Sequence, residues 1–182
     1  EMCIRDRTWA LIESIKDGKA SAVGMATGAV AGLVGITPAA GFVSPASGML
    51  IGAITSCICF LSIKLKIKLS FDDSLDTFAV HGVGGTVGAI LTGIFAKSEL
   101  IASHPAGLVL QEQGRFGLVL GQFQAVLIAY AIAAIGTFII ALVLKSLGCS
   151  FRVNEIQEES GLDISQHGED AYGEKTGSPT TI

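Results

Sequence analysis

The chain has 182 residues, 50% of them hydrophobic and 15% charged, with a net charge of −4 and a mean hydropathy of +0.61. A soluble domain carries about a quarter charged residues, so this composition excludes an ordinary water-soluble globule and points to an all-α, polytopic membrane protein with a polar tail. No basic patch interleaved with aromatics suggests nucleic acid, and the acidity of the tail says little about partners of the apolar body.

The first seven residues, EMCIRDR, hold four charges and lack the sustained apolar region and small-residue cleavage site of a signal peptide. Residues 1–8 are expected to be a foreign or mis-assembled start joined to a truncated chain. Trp9 to Ile15 reads as the end of a span, closed by Lys16-Asp17-Gly18-Lys19. The first full span is predicted over 20–36, where Gly24, Gly28, Gly32 and Gly35 form a small-residue ladder that lets helices approach closely. Thr37-Pro38-Ala39-Ala40-Gly41 ends it. A second span is predicted over 45–63, followed by Lys64, Lys66 and Lys68, and a third over 76–96. Residues 97–117 read as a longer loop holding His104, Pro105 and Arg115. The fourth span, over 118–144, has roughly 27 residues, exceeds the bilayer core and is expected to tilt or project. The transmembrane region thus covers 9–148. The tail, 149–182, is polar and ends in Gly-Glu-Lys-Thr-Gly-Ser-Pro-Thr-Thr, which reads as disordered.

The four cysteines, Cys3, Cys57, Cys59 and Cys149, show no metal-ligand spacing. Cys57 and Cys59, two apart on a helix, point in different directions and read as small apolar core residues. No metal and no cofactor is expected. Lysine and arginine placement sets the topology. The loop at 16–19, the loop at 64–70 and the tail carry Lys16, Lys19, Lys64, Lys66, Lys68, Lys145 and Arg152, against Lys97 and Arg115 opposite. The lysine-rich side, with the C-terminus, is expected to be cytoplasmic.

The most informative stretch is Asp72 to Gly85, DDSLDTFAVHGVGG. Asp72 and Asp73 precede the third span and Asp76 opens it. Carboxylates at a helix N-terminus accept orphan N–H bonds and complement the dipole; anchoring of cytoplasmic loops or a negative field at an inner pore mouth is the functional alternative. Asp76 and His81 are five apart and do not stack on one helical face. His81 lies inside the apolar run, where an ionisable group is by default a functional-site hypothesis and needs a partner or a wet cavity. No second histidine lies in a predicted span. Gly82, Gly84, Gly85 and Gly88 read first as helix-packing residues and second as pore-shaping ones. Glu155, Glu158 and Glu159 read as a solvated acidic face.

Together with GAVAGLVGITPAAGFVSP at 28–45, LTGIFA at 91–96 and RVNEIQEESGLDISQHGEDAY at 152–172, this stretch resembles the ammonium transporter family, in its Amt/Mep rather than its Rh branch. The motifs stand in the family's order and cover the chain from about Trp9 to Tyr172. The resemblance implies eleven spans, a homotrimer with one pore per subunit, nitrogen uptake by transport of ammonium or ammonia, and no enzymatic activity or catalytic residues. This chain resembles the end of span seven and spans eight to eleven. His81 matches the second histidine of the family's pore pair; the first histidine, the outer aromatic gate and the external ammonium site belong to the part not seen here. Thr27, Val30 and Thr77 match positions near the inner vestibule. The tail becomes a gating element, ordered by Gly161-Leu162-Asp163 and His167-Gly168-Glu169, with Ser165 at a position phosphorylated in some relatives although a solvated serine is the simpler reading. In prokaryotic relatives a PII-class signalling protein plugs the cytoplasmic face.

Competing readings are an ammonium sensor of the same family and an inactive truncated half-pore. An aquaporin-like pore finds no Asn-Pro-Ala repeats, and an enzyme finds no nucleophile or metal set beside its acid and base groups.

Overall fold

The computed structural model describes residues 2–168. It divides into two units, Glu1–Ala131 and Ile132–Ile182. Glu169, placed in the tail motif above, lies outside the described residues, as does the Gly-Glu-Lys-Thr stretch.

Unit one is built from helices joined by short turns and loops. Helix α1 (Met2–Asp17) turns through Gly18 (φ 83°) into α2 (Ala22–Ile36). Ser21 caps α2: its hydroxyl accepts the Gly24 N–H at 2.9 Å and donates to Glu13 of α1 at 2.8 Å, while the Ser21 N–H reaches the same carboxylate at 3.0 Å. A short 3₁₀ turn over Thr37–Ala39 follows, as its proline dictates. Helix α3 spans Pro45–Lys68, capped by Ser44 with proline in its first turn. It runs on through Lys64, Lys66 and Lys68, past the expected end at 63, because lysine is a good helix former and its stem can lie along apolar surface while the amine reaches water. Lys16 and Lys64 stand 5.9 Å and 5.4 Å from the Phe60 ring.

The third span begins as a π-helical turn, Phe78–Val83, and continues as α4, Gly84–Phe95. The segment expected as a loop at 97–117 holds a short helix α5 (Ser98–Ile101) and the first part of α6 (Pro105–Ser146). Within α6 the backbone breaks at Gly114 (φ 69°, ψ −167°). The Arg115 guanidinium donates to the Ala96 carbonyl, which ties the restart of α6 to the end of α4. Among the described residues there is no strand, and four segments are long and apolar enough to cross a membrane: Ala22–Ala39, Pro45–Lys68, Phe78–Phe95 and Pro105–Ser146.

The core of unit one is built on small residues. Trp9 packs edge-on to Phe60 at 5.2 Å and joins Ala31, Cys59 and Val80 in one buried cluster. The glycine ladder of α2 faces this core. Gly24, Gly28, Gly32 and Gly35 are all buried, and a Cβ at Gly28 would stand 2.4 Å from that of Trp9. The tightest approach is between α2 and α4, where a Cβ on Gly88 would lie 2.2 Å from the Gly35 carbonyl oxygen. Gly84 also packs, its Cβ position 3.1 Å from the Cys59 sulfur. Around Gly85, in contrast, nothing among the described residues lies within 4 Å of its Cβ position. Each turn of a helix offers several faces, and Gly85 is one residue round from the face that Gly84 and Gly88 share.

In unit two, α6 ends near the left-handed Gly148 (φ 82°) and α7 runs over Glu155–Ser160. Asn154 and Gln157 form a reciprocal capping box, with the Asn154 side chain accepting the Gln157 N–H at 2.8 Å.

The close crossing makes a stability prediction. Gly88→Ala should cost about 1–3 kcal/mol through overpacking and lower the melting temperature of the purified protein in detergent. Gly85→Ala, with open space around it, should leave that temperature unchanged or slightly higher.

Candidate functional site

The site starts at the lysine-rich end of α3. The Lys66 ammonium, with its side chain 15% exposed, donates to the Asp73 carbonyl and to the Asp76 carboxylate. Asp73 turns its own carboxylate the other way and accepts the N–H groups of Thr77 and Phe78, each at 2.9 Å. The helix entry is therefore capped by Asp73 alone of this pair. Asp76 stands at the helix entry in a left-handed conformation (φ 55°): its carbonyl accepts the Val80 N–H at 2.9 Å and its carboxylate forms the ion pair. The reason is geometric: the chain must reverse between α3 and the third span, and Asp is among the few residues that tolerate positive φ. Asp72 is exposed. The partner of Asp76 is thus Lys66 and not His81, and Lys66 is a residue that the sequence alone did not single out from Lys64 and Lys68.

Beside this entry lies a cleft of about 220 Å³ lined by Ser62, Leu65, Lys66, Leu69, Phe71, Phe78 and Ala79. The Phe71 and Phe78 rings are 6.2 Å apart across it. The next turn carries His81. Ala79 and Val80 are buried, whereas His81 is exposed, on a face that no described helix covers. No hydrogen bond from the described residues reaches its ring. The turn that presents it is π-helical, a wider form that occurs mostly as single-turn bulges inside α-helices, frequently at functional sites. Gly82 sits beneath the Phe78 ring, 2.9 Å from its Cδ2 as measured from a Cβ position.

Two further residues meet at this turn. The Gly82 carbonyl accepts the Thr86 hydroxyl at 2.7 Å and the Tyr130 hydroxyl at 3.1 Å, and the two hydroxyl oxygens are 2.8 Å apart. Sequence reasoning passed over both. The available signal was Tyr130 itself, a phenol in an apolar stretch, whose O–H needs a partner when it leaves water.

On α2, Thr27 stands at the flank of the glycine ladder and Val30 on the side away from it. Thr27 is half-buried and donates to the Val23 carbonyl at 2.9 Å; Val30 is 44% exposed. Thr77 is exposed and contributes its backbone N–H to Asp73. Among the described residues no hydrogen bond joins Thr27 or Val30 to His81.

In the tail, Gly161 (φ 90°) ends α7 and Gly168 (φ 69°) ends a π-turn over Asp163–His167, both in conformations that disfavour a side chain. Ser165 donates to the Gly161 carbonyl at 2.8 Å; Leu162, Asp163 and His167 are exposed. Arg152 and Glu158 lie 3.7 Å apart at the surface. Among the described residues no group of three or more His, Cys, Asp and Glu side chains could hold a metal ion.

The sequence matches the model of the Ammonium Transporter Family over residues 6–172. It is 42% identical over 165 residues to an ammonium transporter of Bacillus subtilis, covering 90% of this chain and 40% of that one. To an ammonium transporter of Aquifex aeolicus it is 46% identical, covering 90% and 37%. The fold is similar to the crystal structure of Saccharomyces cerevisiae Mep2, with a TM-score of 0.68 and 34% identity over 97% of this chain and 40% of that one. It is also similar to a sensor Amt protein, with a TM-score of 0.74 and 26% identity over 91% and 39%. The chain thus spans about 40% of the length of relatives it matches.

The cap at Asp73 is testable on its own. Asp73→Ala should cost about 1 kcal/mol and speed amide exchange at Thr77 and Phe78 by roughly fivefold to tenfold, with much smaller changes at Leu91 and beyond.

Proposed function

Because the chain belongs to the ammonium transporter family, we propose that it forms one wall of a pore that carries ammonium or ammonia across a membrane, with His81 on the bore. The observation that carries this reading is the His81 ring, exposed on an uncovered face of an 18-residue apolar span and presented by a π-turn. An ionisable ring in such a span marks a pathway more often than a packing site.

The chemistry follows from the cost of desolvation. An ammonium ion taken bare into an apolar pore loses tens of kcal/mol of hydration in the idealised limit. In this reading the ammonium gives up its proton at the mouth to an imidazole relay, and ammonia crosses the apolar part. A neutral imidazole carries one donor and one acceptor, so His81 can bond ammonia on one nitrogen and face a second imidazole with the other, which provides a proton relay. The second imidazole is supplied by chain that this sequence does not include. Thr27, Val30 and Thr77 line the inner vestibule in this reading, with Asp76 and Lys66 holding its rim. In this reading the tail lies in the cytoplasm, a side supported by the lysine-rich loops, and gates the pore of a homotrimer, with a PII-class protein as the partner at that face. A sensor shares this fold, and flux separates the two.

The test is uptake of ammonium or methylammonium by a host without ammonium transporters of its own, given the complete reading frame that contains this chain. The intact protein should restore uptake, and His81→Ala should cut it at least tenfold at equal membrane abundance. Unchanged uptake by that variant would remove His81 from the pathway. Residues 9–172 expressed alone should give none.

A further inference from the structure

We infer that Tyr130 and Thr86 are positioning residues for His81, acting through the backbone carbonyl of Gly82. The inference rests on the reading of His81 as a pore group. Three oxygens meet here: the Gly82 carbonyl, the Thr86 hydroxyl at 2.7 Å and the Tyr130 hydroxyl at 3.1 Å, with 2.8 Å between the two hydroxyls. Two protons serve three contacts, so one hydroxyl donates to the carbonyl while the other donates either to that carbonyl or to its neighbour. The carbonyl belongs to the residue next to His81, within the same π-turn.

The placement explains how a wide turn persists inside an apolar span. A π-turn trades helical ladder geometry for an extra residue, and a carbonyl left short of partners in lipid costs several kcal/mol. Threonine back-bonding to the carbonyl four residues earlier is common in helices, and Thr92 does so to Gly88 at 2.7 Å. The Gly82 carbonyl differs by taking a second hydroxyl from another helix, α6. Glycine at 82 leaves that carbonyl open, and the Phe78 ring covers the Cβ position. Return of the turn to α-helical geometry would rotate Phe78–Val83 about the axis, break the Tyr130 contact and swing the imidazole off the face it now occupies. The tyrosine thus selects the orientation of a ring that it does not touch.

The complete protein carrying Tyr130→Phe or Thr86→Val tests this with two readouts. Methylammonium uptake should fall about tenfold in maximal rate, with little change in half-saturating concentration, the factor expected for one lost hydrogen bond near the reacting group. The ¹⁵N resonances of the His81 imidazole and the ¹³C resonance of the Gly82 carbonyl, followed in labelled protein, should move in both variants. Thr86→Ser, which keeps a hydroxyl, should recover most of the loss. His81 resonances that stay in place in both variants overturn the inference whatever uptake does. Resonances that move while uptake is unchanged overturn it as well, since the orientation would then carry no function. Normal uptake by His81→Ala is a separate result: it sinks the pore reading, and the resonances alone then decide whether Tyr130 and Thr86 orient the ring.

Discussion

The arrangement depends on how closely two backbones can approach in a medium that offers helices little hydrophobic drive to associate. At the crossing of α2 and α4, Gly88 meets the carbonyl of Gly35 with no room for a methyl group. Association in lipid relies on packing and polar contacts, and small residues allow it. That crossing draws α3 in as well: Thr55 fills the space against Gly35 and Gly84, Ser56 donates to the Gly28 carbonyl at 3.2 Å, and the Cys59 thiol lies 3.9 Å from the Val80 carbonyl. Cys59 is thus a small buried group between helices. With Ala79 and Val80 pinned into this core, the next residue, His81, is left facing outward.

Much of this was legible in the chain. Uncharged runs of span length, punctuated by Thr37-Pro38 and by lysine clusters, located the apolar helices, because desolvation of charge is a strong and local penalty. The glycine spacing of α2 announced its packing face for the same reason that it works: side-chain volume is written directly in the sequence. His81 stood out by chemistry alone. Several departures share one cause, which is that contacts are chosen in three dimensions. Asp73 and Asp76 both read as helix-entry acids, yet the side chain of one caps the helix while that of the other takes a lysine from α3. Lys66 is indistinguishable from Lys64 and Lys68 until the chain reverses and brings Asp76 to it. Gly85 and Gly84 differ by one step around the axis, and nothing in composition says which turn will widen to π geometry. Tyr130 lies 48 positions from Gly82, beyond any periodicity.

The entry and the turn are two ends of one short lever. Lys66 and Asp73 fix where the third span starts, and Tyr130 with Thr86 fixes the turn in which His81 sits. Between them lie Phe78, whose ring faces Phe71 across a cleft, and the buried pair Ala79 and Val80. The segment is tied at both ends by polar contacts and clamped in its middle by apolar ones. A side chain with no direct partner therefore has a defined place, because the backbone on either side of it does.

The break in α6 at Gly114 has a consequence of its own. Its backbone angles, 69° and −167°, are the mirror image of ordinary extended chain. Nothing lies within 4 Å of the position a Cβ would take, so the restriction there is one of handedness and not of room. An L residue would fit the space and still strain the backbone, whereas a residue of the opposite hand would have these angles at rest. The separation of α6 into two helical segments is thus secured by the one amino acid without a stereocentre.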